Sequence, residues 1–212
     1  MSASRTAPMT QPLVLAVTGA SGALLAERIV AKSPIPVILT AGKWGRAVYE
    51  AECGPFETLT KRVQAVYDAD DMSAPIASGS VETAGMVVAP CSAGTLGRIA
   101  AGTSDTLAAR AAHCHLKERR PLILCLREAP LTRIDLQNAE RAAAAGAVVM
   151  PLSFPFYMQK ECDPRTVTLA ELMDDFAERV LSLLGVPPSR TWADVREAGG
   201  PKPAPQKGAS HE

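Results

Sequence analysis

LVLAVTGASGALLAERIVAK, residues 13–32, decides the fold. Leu13–Val17 is a run of five apolar residues with no polar break. Thr18-Gly19-Ala20-Ser21-Gly22 follows, all small or turn-forming, and from Ala23 to Ala31 the apolar positions take helical spacing. A short continuous apolar run suits a strand covered on both faces, and such strands belong to parallel sheets. A strand that turns through glycine into a helix is half of a βαβ unit.

The same alternation continues. Pro36–Leu39, Met86–Ala89, Leu122–Leu126 and Ala147–Met150 read as further strands. Helical stretches separate them at Lys43–Glu52, Thr95–Ile99, Asp105–Arg119, Arg133–Ala145 and Leu169–Leu184, with Gly146 and Gly185 as C-terminal caps. The pattern predicts a three-layer, doubly wound α/β fold on a mainly parallel sheet. In such folds ligands bind beyond the carboxyl ends of the strands, so the residues just after each apolar run carry the chemistry.

Composition limits the partners. The 212 residues are 47% hydrophobic, and 22 Lys and Arg balance 22 Asp and Glu. A zero net charge gives no global field toward nucleic acid or membrane. No apolar stretch approaches the roughly 20 residues of a membrane helix. Residues 1–11 lack the apolar segment of a secretory signal and read as a flexible N-terminus. Five cysteines with no CxxC pair indicate reduced thiols and a cytoplasmic location. The domain is expected over residues 12–186, and 187–212 as a C-terminal extension, partly disordered in its Pro/Gly-rich tail.

Two turns suit an anion. At Gly19–Gly22 a helix begins, and its free N–H groups and partial positive charge favour phosphate, with the Ser21 hydroxyl beside them. Ser21 stands where a dinucleotide fingerprint needs its second glycine. The second strand ends on Thr40-Ala41-Gly42, without the acid that grips an adenosine ribose. Both departures argue against NAD, the missing acid more strongly. After the third run, Ser92, Gly94 and Thr95 open another helix, either as an ordinary N-cap or as phosphate ligands. Ala77-Ser78-Gly79-Ser80 is a further small, hydroxyl-rich loop.

TGASGA (18–23), APIASGS (74–80), APCSAGTL (89–96), RAAHCHLKERRPLILCLREAPL (110–131), AGAVVMP (145–151) and FPFY (154–157) occur in this order. Together they resemble the flavin prenyltransferases, the UbiX family, over about residues 12–186. LKERRPL followed by REAPL is the most specific part. The resemblance implies a Rossmann-like flavoprotein fold and a homo-oligomer, in the family usually a dodecamer with sites at subunit interfaces. It implies transfer of a dimethylallyl group, from a phosphate or pyrophosphate, to N5 and C6 of reduced FMN. The prenylated FMN then serves a UbiD-type decarboxylase, and no metal is needed.

By the same resemblance, Gly19, Ala20, Ser21, Thr40, Ser92, Ala93, Gly94, Thr95 and Arg127 contact the flavin. Lys117, Tyr157 and Arg179 hold the prenyl phosphate. Glu50, ten residues after Thr40, matches the catalytic carboxylate, while Glu128, Arg110 and Ser21 match further catalytic positions. Physics supports these residue types. A prenyl phosphate leaves when preorganised Lys and Arg charges meet its developing charge. Bond formation at C6 then needs a proton removed, which a placed carboxylate can accept.

Lys117 is expected near Arg127 and Glu128, with those two paired to each other. Glu118, Arg119 and Arg120 read as structural or interface charges. His113 and His115 stand two apart on a helix and point away from each other, so they do not form a metal site. Cys91, Cys125 and Trp44 read as packing residues, and Trp192 as a further candidate cover for a neighbouring site. The chain departs from the family at Met158–Asp163, inserted between Tyr157 and Pro164 beside the prenyl-phosphate side, and at Met72, where some relatives carry Trp. Two alternatives stand beside transfer: a non-catalytic FMN-binding or storage protein, and a flavin-dependent decarboxylase of the cysteine decarboxylase type. The histidines (113, 115, 211) are badly placed for the second.

Overall fold

The computed structural model describes residues 11–156 and 165–197. One sheet carries six strands: β1 Leu13–Val17, β2 Val37–Ala41, β3 Ala65–Asp68, β4 Gly85–Cys91, β5 Leu122–Leu126 and β6 Val148–Val149. Their order is β3-β2-β1-β4-β5-β6, and every neighbouring pair is parallel. The helices are α1 Leu24–Lys32, α2 Lys43–Cys53, α3 Glu57–Thr60, α4 Ala93–Ala100, α5 Leu107–Lys117, α6 Arg133–Ala144, α7 Leu169–Ser182 and α8 Trp192–Glu197, with a 3-10 turn at Pro75–Ala77.

Side chains alternate across a strand, so each strand feeds two cores. Leu13, Leu15 and Val17 pack with α1, α2 and α7 on one face. Val14 and Ala16 pack with α4, α5 and α6 on the other. That makes the expected three layers. All five predicted strands and six predicted helices form. β3 escaped the sequence reading because it is an edge strand of four residues, alternately half-buried and exposed, with no continuous apolar run.

Several boundaries differ from expectation; β2 runs on to Ala41 and β6 shortens to Val148–Val149, and three further cases have local causes. β4 passes through Pro90 to Cys91, and its register with β5 shifts between Val88 and Cys91, so the proline's missing N–H falls at an irregularity. α4 starts at Ala93, directly after its cap Ser92. α5 starts only at Leu107, capped by the Thr106 hydroxyl, and stops at Lys117; Arg119 has φ 56°, outside any right-handed helix.

The strand order leaves a crevice. Connections from β1 and β2 run over one face and those from β4 and β5 over the other, so they diverge above the ends of β1 and β4.

Candidate functional site

Thr18 joins the two diverging strands. Its hydroxyl donates to the Pro90 carbonyl at 2.7 Å and accepts from the Ser92 N–H at 2.9 Å. Beside it lies a cavity of about 280 Å³, lined by Thr18, Gly19, Thr40, Lys43, Trp44, Gly45, Ser92, Thr95, Arg98 and Thr106, among others. α2, α4 and α5 all begin on this cavity. α2 approaches β1 so closely that a Cβ on Gly45 would stand 2.2 Å from the Val17 carbonyl oxygen. A Cβ on Gly19 would stand 2.8 Å from Trp44 Cβ. Ser92 caps α4, accepting from the Thr95 N–H at 3.3 Å, and its hydroxyl lies 3.0 Å from that of Thr95.

Thr40 is the anomaly. It is 1% exposed, lines the cavity, and its hydroxyl has no hydrogen-bond partner among the described residues. A buried hydroxyl left unpaired costs about 1–3 kcal/mol, so such a group normally waits for a ligand or water.

Four expected flavin contacts therefore converge: Gly19, Thr40, Ser92 and Thr95. Ala20, Ser21, Ala93 and Gly94 sit on the same sheet edge without lining this cavity. Arg127 and Glu128 follow β5 at that edge too. The Arg127 N–H donates to the Cys91 carbonyl at 2.9 Å, and its side chain lies against Gly22, 3.9 Å from an added Cβ.

The first turn corrects one expectation. Its amides are not free. A Glu52 carboxylate oxygen accepts from the N–H groups of Gly22 at 2.9 Å and Ala23 at 2.8 Å. α1 has no capping side chain of its own, because Ala23 occupies the cap position; Glu52 at the end of α2 supplies the acceptor instead. Glu50, two residues earlier, is exposed and does not line the cavity.

Lys117 corrects another. α5 starts at the cavity and runs back, so Lys117 lies at the opposite edge of the sheet. There His115 Nε2 meets the Thr83 hydroxyl at 2.8 Å, and the Pro121 carbonyl accepts from Met86 N–H at the start of β4. The six steps of extended chain from Pro121 to Arg127 span about 20 Å. Lys117 is thus not beside Arg127 and Glu128 within one chain. Its ammonium pairs with Glu118 at 2.7 Å. Glu128 receives the Ala129 N–H at 3.2 Å, and no Arg127–Glu128 ion pair occurs among the described residues. Arg120 donates to the Gly79 and Val81 carbonyls, both at 2.6 Å, and Arg110 to the Ala77 carbonyl at 2.9 Å, so these cations hold the Ala77–Val81 thread along α5.

Arg179 stands in the last turn of α7, near the level where Lys32 meets Glu178 at 2.8 Å, on the other face of the sheet from Lys117. Tyr157, Met158–Asp163 and Pro164 lie outside the described residues, as do His211 and residues 1–10 and 198–212. The Trp192 side chain is also outside them.

Of the packing readings, the cysteines hold and the tryptophan does not. Burial pushes the Cys91 thiol up to about 12 and Cys125 higher, so both stay protonated core residues. His115 is buried and His113 exposed. Trp44 is 70% exposed at the cavity mouth. Among the described residues no helix is long and apolar enough to cross a membrane.

The Flavoprotein family matches residues 1–181. A flavin prenyltransferase UbiX of Deinococcus radiodurans is 42% identical over 195 residues, covering 89% of this chain and 97% of that protein. The chain belongs to the UbiX flavin prenyltransferase family. Solved UbiX-type structures agree. AnUbiX (PadA1), in complex with FMN and dimethylallyl pyrophosphate, matches with a TM-score of 0.80 at 33% identity, over 86% of this chain and 97% of that one. A dodecameric FMN-dependent UbiX-like decarboxylase from Escherichia coli O157:H7 matches with a TM-score of 0.77 at 31% identity, over 85% and 98%. The cavity above β1 and β4 thus belongs to a UbiX-family flavoprotein.

Proposed function

We propose that this chain transfers a dimethylallyl group from dimethylallyl phosphate or pyrophosphate to N5 and C6 of reduced FMN, and that the product serves a UbiD-type decarboxylase. The unpartnered Thr40 hydroxyl carries the reading: a buried polar group in a cavity where three helices begin fits an oxygen-rich anion. Reduced FMN supplies the electron-rich centre that the prenyl group joins. Gly19, Ala20 and Ser21 back the flavin, Thr40 and Ser92–Thr95 hold its polar end, and Arg127 stands over the first turn. Lys117, Tyr157 and Arg179 hold the prenyl phosphate and meet the charge that builds as its C–O bond breaks. Arg110 and Glu128 complete the charge pattern. Glu50 accepts the proton released at C6.

Lys117 and Arg179 lie far from their own chain's cavity, so one chain brings together the flavin half and leaves the leaving-group half apart. Copies of the chain in a homo-oligomer, dodecameric in the E. coli relative, would supply the second half. The protein would act in the cytoplasm.

The test is anaerobic incubation with reduced FMN and dimethylallyl phosphate or pyrophosphate, followed by mass spectrometry of the flavin. The expected product is heavier by one prenyl unit, with no gain from oxidised FMN. Flavin bound and recovered unchanged with both donors would instead establish a non-catalytic FMN-binding protein.

A further inference from the structure

Helices usually place acids in their first turn, where the backbone dipole is positive. Those that begin away from the cavity do so here. α6 starts with Asp135 and α7 with Glu171, each in a reciprocal capping box, and α1 has Glu27 plus the Glu52 carboxylate on its amides. The three helices that begin on the cavity do not: α2, α4 and α5 have no acid in the first turn. Among the described residues no carboxylate lines the cavity either.

Two of these helices present cations there instead. Lys43 is the first residue of α2; its ammonium lies 5.3 Å from the Trp44 ring centre and is in no ion pair among the described residues. Arg98 lies one turn into α4, but its side chain folds back toward the helix start, where the guanidinium donates to the Gly94 carbonyl at 3.3 Å. Asp105 takes its Nε–H at 3.3 Å, in a pair about half exposed on both sides and so screened by solvent. A cation folded onto a helix N-terminus is unfavourable unless an anion joins it. The unpaired Thr40 hydroxyl marks where ligand oxygens belong.

We infer that Lys43 and Arg98 bind the phosphate of the flavin and make this cavity select FMN over unphosphorylated riboflavin. The inference rests on the reading that the cavity takes a flavin. It concerns two residues of this chain that the turns at 19–22 and 92–95 do not include.

The test measures dissociation constants for FMN and for riboflavin on the full-length protein, wild type and Lys43→Met/Arg98→Met, by quenching of flavin fluorescence. Charged hydrogen bonds of this kind predict that the double variant binds FMN about 10- to 100-fold more weakly. Riboflavin affinity and melting temperature should stay put, because both side chains reach solvent. Arg98→Lys, on the wild-type background, should keep most of the preference. Added salt should narrow the wild-type FMN/riboflavin ratio and leave the double variant's nearly flat. A double variant with the wild-type ratio would overturn the inference, and so would equal losses for both flavins. A wild-type protein that binds neither would overturn the flavin reading itself, and this proposal with it.

Discussion

Thr40 sits at the end of β2 with a hydroxyl that none of the described residues satisfies. Its replacement separates stability from binding. Thr40→Val keeps the shape and removes the unpaired group, so the ligand-free protein should gain about 1 kcal/mol, read as a higher melting temperature. FMN affinity should fall about tenfold, because a hydrogen bond to the ligand is lost. A variant that melts lower, or binds FMN as tightly as wild type, would contradict this role. Thr40, Gly19, Ser92 and Thr95 were legible as cavity-lining residues because each follows the end of an apolar run by one to six residues, where a doubly wound sheet collects its ligands. Glu52 and Arg98 were not. Glu52 caps a helix 29 residues before it in sequence, which depends on how α2 lies against α1, and Arg98 matters through the direction its side chain folds. The missing cap at Ala23 was the available signal for Glu52.

At the scale of elements, α5 explains both a success and a failure. LKERRPL and REAPL flank β5 closely in sequence, yet a strand joins opposite edges of its sheet, and a helix returning to a parallel strand must run the other way. Nearness in sequence thus concealed a separation of about 20 Å. The foot of α5 is fixed by His115, whose Nδ1 lies 2.7 Å from the Ala111 carbonyl and whose Nε2 meets Thr83 ahead of β4. Burial lowers the His115 pKa from 6.5 to about 4, against a smaller raising effect from the Ala111 carbonyl. The folded protein therefore resists the proton that the unfolded chain accepts. The contribution is full above about pH 6.5 and is lost as pH falls toward 4, a total of about 3 kcal/mol. Melting temperatures from pH 7 to pH 5 should drop more steeply for wild type than for His115→Asn. Parallel curves would remove His115 as the cause. β3 escaped notice for the opposite reason from β5: an edge strand covered on one face has no continuous apolar run to read.

For the whole molecule, the sequence order of strands and helices sufficed for the three layers, because each apolar run had only one kind of place to go. It did not suffice for the site. Four of the expected flavin contacts share one cavity, while Lys117 and Arg179 stand on the far side of the sheet and on opposite faces of it. The central claim is that transfer takes place between copies, the flavin held by one chain and the leaving group met by cations of others. Mixing two inactive variants tests it most directly. Thr40→Val/Ser92→Ala lacks the flavin half and Lys117→Met lacks a cation of the other half. Co-assembled at equal ratio and assayed for prenylated FMN, they should recover activity in about a quarter of sites, those that pair an intact flavin half with an intact neighbouring lysine. If each chain carried a complete site, every site in the mixture would be damaged, and product no higher than the sum of the two separate variants would contradict the claim.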